Sequence, residues 1–234
     1  MASLVELEAI QTRILHRIAQ LELCLQRQRL SSLSLSPDHG GNTATAANGG
    51  RKSTESRLTA ILLASGVRDF SFRRVPLDYY DRPLEARREI LAAPSVEHLC
   101  KSIVLVNTQA GASITDCSNP NNSKYYVVVI QYIARLNAES IKNFLYTLND
   151  RQIPKKKFNL RLAPEEESLK LTGYVHNGVT CIGMETNIPV ILDEAITKLD
   201  PDFFWLGGGE VDLKLGIRTP QFTSAFKPFV VSCS

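Results

Sequence analysis

Three short stretches hold most of the residues that could do chemistry. In the first, Lys101 and Ser102 stand at the head of a β-branched apolar run at residues 103–106. Strand lysines are usually solvated edge charges, but a lysine that leads straight into an apolar run is poorly placed for that role. The second stretch, LTGYVHNGVTCIGM at residues 171–184, holds three glycines, a histidine, an asparagine and a cysteine, but no acid, lysine or arginine. It is too polar for an ordinary core strand and too apolar for an exposed loop. It reads either as a kinked strand pair or as the lining of a site for something small. The third, WLGGGEVDL, carries Gly207, Gly208 and Gly209. Alone, a triple glycine is a tight turn between two strands.

Elimination narrows the chemistry. The sequence has no GxSxG, no HExxH, no GxxxxGK followed by Ser or Thr, and no GxGxxG after a strand. The four histidines, His16, His39, His98 and His176, show no ligand spacing. The five cysteines are scattered and form no CxxC pair, so neither a zinc ribbon nor a disulfide framework is indicated and a reducing, cytoplasmic setting fits best. A net charge of +3 is only mildly basic, so a nucleic acid would have to be met by local clusters. One such cluster is RQIPKKKFNLR, with Arg151, Lys155, Lys156, Lys157 and Arg161 and no acid among them. Such runs are usually solvated faces, and a phosphate-binding face is the other reading.

The elements that must position these residues come in three parts. Over residues 3–30, Leu4, Leu7, Ile14, Ile18, Leu21 and Leu25 step by threes and fours, with Gln11 in the missing place. That is the seam of a coiled coil, which predicts a homodimer through this helix; an amphipathic helix packed on its own domain is the alternative. Residues 31–52, rich in Ser, Gly, Asn, Thr and Ala, are too poor in bulky apolar side chains to offset their ordering entropy and read as a linker. Residues 53–234 form the domain. STESRLTAILLASG, PLEARREILAA, NAESIKNFLYTL and APEEESLKLTG have helical spacing, the third capped by Asn137 and the last closed by Gly173. FSFRRVPL, CKSIVLVNT, KYYVVVIQYI, IPVILDEAI and DFFWLGGGEVDLKL are strand-like, the second and third adjacent and joined by a long polar hairpin loop. Strands and helices mix without strict alternation, which predicts an α+β domain around a mixed or antiparallel sheet with flanking helices. No run of 18 apolar residues is present, so no membrane span is expected.

The order of the pieces says more. EHLCKSIVLV, RLAPEEESLKLTGYVHNGVTCIGM, IPVILDEAI and FFWLGGGEVDLKL, in that order, resemble the YbaK/prolyl-tRNA synthetase-associated editing domain family from about residue 53 to the C-terminus. The resemblance implies hydrolysis of the ester of mischarged aminoacyl-tRNA, with no metal or other cofactor, and with aminoacyl-tRNA and an aminoacyl-tRNA synthetase as partners. It puts Lys101 at the catalytic lysine of a Lys-Ser pair with Ser102, where an ammonium would pair with a phosphate near the terminal adenosine or steady an oxyanion. It makes residues 171–184 a GxxxP-type loop that lines the aminoacyl pocket through its backbone. Thr172, Gly173, Tyr174, Gly178, Ile182, Gly183 and Met184 fit the family pattern, whereas Asn177 stands where the family has glycine and Cys181 where it has proline. Asn177 and Gly178 would direct water or the α-amino group, with Cys181 in the substrate pocket. His176 reads as a partly exposed, non-catalytic neighbour. Gly207, Gly208 and Gly209 would bring amides to a phosphate or ribose, Asp212 would orient Lys101 or the pocket wall, and Lys155, Lys156, Lys157 and Arg161 would hold tRNA phosphates. The departures at Asn177 and Cys181 leave a second reading: a non-catalytic tRNA-binding or synthetase-docking adaptor that self-associates through its first helix.

Overall fold

The computed structural model describes residues 53–234. The coiled coil of residues 3–30 and the linker of residues 31–52 lie outside the described residues.

Helix α1 (Thr54–Ala64) starts where the Ser53 hydroxyl accepts the Ser56 N–H at 3.1 Å, satisfying one of the unpaired donors of a first turn. Leu58 and Leu62, one turn apart, are its buried face. Strand β1 (Phe70–Arg74) follows, then a single 3₁₀ turn at Tyr79–Asp81 and helix α2 (Leu84–Leu91), entered through Pro83. Strands β2 (Cys100–Asn107) and β3 (Tyr125–Gln131) pair antiparallel from Cys100↔Gln131 to Val106↔Tyr125. Helix α3 (Ala138–Leu148) is capped by the Asn137 side chain, which accepts the N–H groups of Glu139 and Ser140 at 3.1 Å. Strand β4 (Leu160–Leu162) leads into helix α4 (Glu165–Thr172), which Gly173 ends in the left-handed region at φ 76°. Strands β5 (Val190–Asp193), β6 (Phe203–Gly207) and β7 (Leu213–Arg218), helix α5 (Thr219–Phe226) and strand β8 (Phe229–Val231) complete the described chain.

The strands form two sheets, not the one that the sequence suggests. One is antiparallel, ordered β1-β7-β6; the other is mixed, ordered β4-β2-β3-β5-β8, with β5 parallel to β3 and β8 parallel to β5. The second sheet is covered on both faces. Val104, Val106, Val127 and Val129 pack toward α1 and the first sheet, while Leu105, Tyr126, Val128 and Ile130 pack against Ile141 and Leu145 of α3. Two buried faces account for the unbroken apolar runs of β2 and β3. β4 and β8 were not legible in the sequence, because three-residue strands are too short to show a period, and the eight-residue helix α5 was also missed. The strand expected in IPVILDEAI holds only Val190–Asp193, and Glu194–Lys198 turns as a 3₁₀ helix.

One detail of the second sheet positions the site. β4 pairs with β2 only at residues 105–107, and the Ala163 N–H reaches the Val104 carbonyl at 2.9 Å. Among the described residues no strand pairs with residues 101–103 along that edge.

Candidate active site

A cleft of about 340 Å³ opens beside the uncovered edge of β2. Lys101, Ser102 and Val104 of β2 form one wall, Gly207 at the end of β6 and Asn177 with Val179 another, and Tyr80, Tyr132 and Tyr174 bring three phenol rings to the lining. Five of the residues singled out in the sequence therefore meet here: Lys101, Ser102, Tyr174, Asn177 and Gly207.

Lys101 is half-buried, with its ammonium 5.5 Å from the centre of the Tyr132 ring. The Arg87 guanidinium also lies 5.5 Å from that ring, so Tyr132 is shared by two cations. Each cation gains from the electron-rich ring. The Ser102 hydroxyl is buried and makes no hydrogen bond of good geometry. Burial pushes the Cys181 thiol up to about 12, against weaker opposing backbone and Ser102 interactions. At neutral pH Cys181 is a thiol held in the core, absent from the cleft lining and unfit as a nucleophile. Its expected place in the substrate pocket is corrected accordingly.

The loop of residues 173–184 is fixed by its carbonyls. Asn177 takes a left-handed φ of 64°, a conformation that asparagine tolerates better than most residues. Its carbonyl accepts the Tyr80 hydroxyl at 2.6 Å. Tyr80 Oη in turn accepts from Lys214 Nζ, also at 2.6 Å. At the other end of the loop, the Tyr174 hydroxyl lies 2.7 Å from the Ile182 carbonyl and 2.9 Å from that of Gly183, sharing its proton between them, and Arg57 donates to both Tyr174 and Gly183. Gly178 is buried: its N–H closes the turn on Val175 O at 2.9 Å, and its carbonyl accepts from Gly209 N–H at 3.0 Å. His176 is exposed at the lining. His98, by contrast, is buried between the Ser95 hydroxyl and the Pro201 carbonyl, a structural placement.

The triple glycine does something other than expected. A Cβ at Gly207 would overlap the Val179 carbonyl oxygen, so the strand must be glycine there for the loop to approach. The Gly208 N–H donates to Leu213 O at 2.9 Å and the Gly209 N–H to Gly178 O. Both amides are already committed, which corrects the picture of a phosphate cradle. Asp212 is corrected as well: both its oxygens lie 2.9 Å from Arg74 Nη1, and it is absent from the cleft lining. Gly173 and Gly183 shape the loop from outside the lining, one as a helix end and one through its carbonyl.

Lys155, Lys156 and Lys157 form an exposed 3₁₀ turn. The Lys155 ammonium bonds the Asn143 side chain at 2.7 Å and lies 5.2 Å from the Tyr146 ring. Arg161 is exposed on β4 and adjoins Leu162, which lines the cleft. Of the basic cluster, Arg161 alone is next to a lining residue; Lys155, Lys156 and Lys157 precede β4, at the Asn107 end of β2. Among the described residues, no three His, Cys, Asp or Glu side chains gather as metal ligands, and no helix is long and apolar enough to cross a membrane.

Sequence reasoning missed Tyr80, Arg87, Tyr132 and above all Lys214. Lys214 is only 4% exposed, donates to Val211 O at 2.8 Å and sits 4.5 Å from the Tyr80 ring centre. Burial lowers its amine to about 8; Arg87 adds to the fall and Asp212 opposes it. A lysine inside the alternation VDLKLGI looks solvent-facing. Its partners across the sheet are Gly207 and Arg73, and its strand neighbours on the same face are Asp212 and Gly216, so no local signal in the sequence marks it as buried.

Comparisons with known proteins agree with this architecture. The sequence matches the family described as the aminoacyl-tRNA editing domain over residues 91–224. Among solved structures, a candidate trans-editing enzyme for prolyl-tRNA synthetase superposes with a TM-score of 0.60 at 18% identity, covering 79% of this chain and 99% of that one. A scaffold protein from computational epitope grafting gives 0.58 at 16% identity over 79% and 98% of the two chains. A hypothetical protein gives 0.54 at 20% identity over 75% and 98%. A comparison with curated proteins returned no significant match. With the family match spanning more than half of its 234 residues, and the fold shared with those structures, the chain belongs to the aminoacyl-tRNA editing domain family, the YbaK-like proteins.

Proposed function

We propose that this protein is a trans-acting deacylase that hydrolyses the ester of mischarged aminoacyl-tRNA. The observation that carries the reading is the convergence of the Lys101 ammonium and the Asn177 backbone on one cleft at the uncovered edge of β2. Water adds to the ester carbonyl, the carbon–oxygen bond to the terminal ribose breaks, and the ribose oxygen leaves with a proton as a hydroxyl. The amino acid departs as a carboxylate. Lys101 would hold the phosphate beside the terminal adenosine or the developing oxyanion, a charge-on-charge contact that strengthens as negative charge builds. The backbone at Asn177 and Gly178 would orient the α-amino group or the water, and Ser102, Tyr174 and Gly207 would shape the aminoacyl pocket. No thiolate takes part, because Cys181 stays protonated. Lys155, Lys156, Lys157 and Arg161 would carry the acceptor stem to the mouth.

A second reading, a non-catalytic tRNA-binding or synthetase-docking adaptor, is favoured by one observation: Asn177 and Cys181 replace the family's glycine and proline. Incubating purified protein with a panel of mischarged tRNAs separates the two. The deacylase releases amino acid from at least one of them, and Lys101→Ala slows that release by about 10²–10³-fold, the scale of one lost oxyanion contact, with the melting temperature held. Equal rates for variant and wild type would remove Lys101 from the mechanism. The adaptor releases nothing, yet binds tRNA and loses that binding when Lys155, Lys156 and Lys157 are changed to alanine.

A further inference from the structure

The loop lacks the two residues that would preset its backbone, yet the structure holds it firmly. Asn177 adopts its left-handed φ while its carbonyl accepts the Tyr80 hydroxyl at 2.6 Å. A phenol has one proton to donate, and this one is spent on the loop. The phenol oxygen then receives a proton from Lys214 Nζ at 2.6 Å. Arg87 fixes the middle link: its guanidinium donates to the Tyr80 carbonyl at 2.7 Å and lies 5.5 Å from the Tyr80 ring centre.

Lys214 stands in β7 directly opposite the cleft-lining Gly207. Packing alone would favour an apolar residue there, since a buried amine loses its hydration. What the amine supplies is a charge-assisted donor. Hydrogen bonds in a chain polarise one another, so a donor placed behind the phenol oxygen makes its O–H a stronger donor to the carbonyl in front. The carbonyl is held by one lone pair and keeps the other for a ligand. Both Tyr80 and Asn177 line the cleft.

We propose that Lys214 and Tyr80 are positioning residues that aim the peptide between Asn177 and Gly178 into the cleft, in place of the preset backbone that glycine and proline would give. The proposal rests on the deacylase reading for its catalytic consequence, but its structural part stands independently. Tyr80→Phe and Lys214→Met are made singly and together in the full-length chain. Two readouts are taken: amide hydrogen exchange at residues 175–179, and kcat and KM on the best substrate of the mischarged-tRNA panel.

Exchange at Gly178 should rise about tenfold in Tyr80→Phe, the equivalent of one lost hydrogen bond, while β2 and β3 amides keep their protection. In kinetics, each single variant should lower kcat by about tenfold with KM within about twofold. The double variant should be no worse than either single one, because both act through one contact. Additive losses, or unchanged Gly178 exchange in Tyr80→Phe, overturn the proposal. Tyr80→Phe removes one oxygen from an intact ring, so a folding failure of Lys214→Met leaves the question decidable. If the wild type deacylates nothing, the deacylase reading falls, and the exchange experiment alone then decides the positioning claim.

Discussion

Replacing Lys214 with methionine should change how stability depends on pH, by an amount that the structure sets. The amine's ordinary value is 10.5, and burial brings it to about 8 in the fold. Below about pH 8 both the folded and the unfolded chain hold the proton, and the folded chain bears the cost of a buried charge. Above 10.5 neither holds it. Between the two values the unfolded chain binds the proton and the folded chain does not, so this residue's contribution to stability rises with pH. At about 1.36 kcal/mol per pH unit the full span is worth about 3 kcal/mol, of which about 2 kcal/mol falls between pH 7.5 and 10. The raw pH profile of the wild type cannot be read for this alone. Cys181 and Cys233 are pushed up to about 12 by burial and pull the other way, since their thiols ionise earlier in the unfolded chain. The measurement is therefore a difference: urea unfolding of wild type and Lys214→Met at pH 7.5 and pH 10. Relative to the variant, the wild type should gain about 2 kcal/mol across that interval. Two profiles that stay parallel to within about 0.5 kcal/mol would refute the reasoning, because Lys214 would then titrate as it does in water.

Three further outcomes are expected. Gly207→Ala should cost about 1–3 kcal/mol in urea unfolding, because its Cβ meets the Val179 carbonyl and the strand must move; a variant as stable as wild type would show that the loop does not need this approach. The double change Asn177→Gly with Cys181→Pro restores the family pattern, but Tyr80 and Tyr174 already hold the loop carbonyls, so turnover should change by less than about threefold. A tenfold gain would mean that the loop is loose. Residues 3–30 should make the full-length chain a dimer in light scattering while residues 53–234 run as a monomer, and a monomeric full-length chain would remove the coiled-coil reading.

Local signals in the sequence were followed closely by the structure. Asn137 caps α3, Gly173 ends α4, and the two β-branched runs pair along their length, because caps and paired apolar runs are decided by near neighbours. Lys101 and Asn177 were found through motif order, and they do meet in one cleft. What escaped was non-local. Lys214 and Tyr80 are 134 residues apart, and Tyr80 and Asn177 are 97 apart. No window of sequence contains either pair. The face of β7 that carries Lys214 looked like a solvent face because the strand alternates. It is covered by Tyr79 and Tyr80, a segment with no periodic pattern of its own. The roles of the glycines at 207–209 were misjudged for a related reason: a close approach of two backbones depends on which strands are neighbours, and the division into two sheets was not legible.

The pairing of β1 with β7 has a consequence for synthesis. Among the described residues strand β1 has one partner in its sheet, and the register joins Phe70 to Ile217 and Arg74 to Leu213. A chain emerging from the ribosome exposes its N-terminal part first, so Phe70 and Phe72 wait for nearly the whole domain before they can be covered. Tyr80 likewise has neither Asn177 nor Lys214 to hold, while β2 and β3 can already zip into a hairpin. Contacts of such long separation form late, because loop closure must come before they stabilise anything. The cleft is therefore assembled late, and a nascent chain carries Lys101 without a complete pocket until β6 and β7 have emerged. A transcript cut short before β7 would yield a product with an unpaired apolar β1 and no aimed Asn177 carbonyl, inert toward any ligand of the cleft and a client for chaperones or proteases.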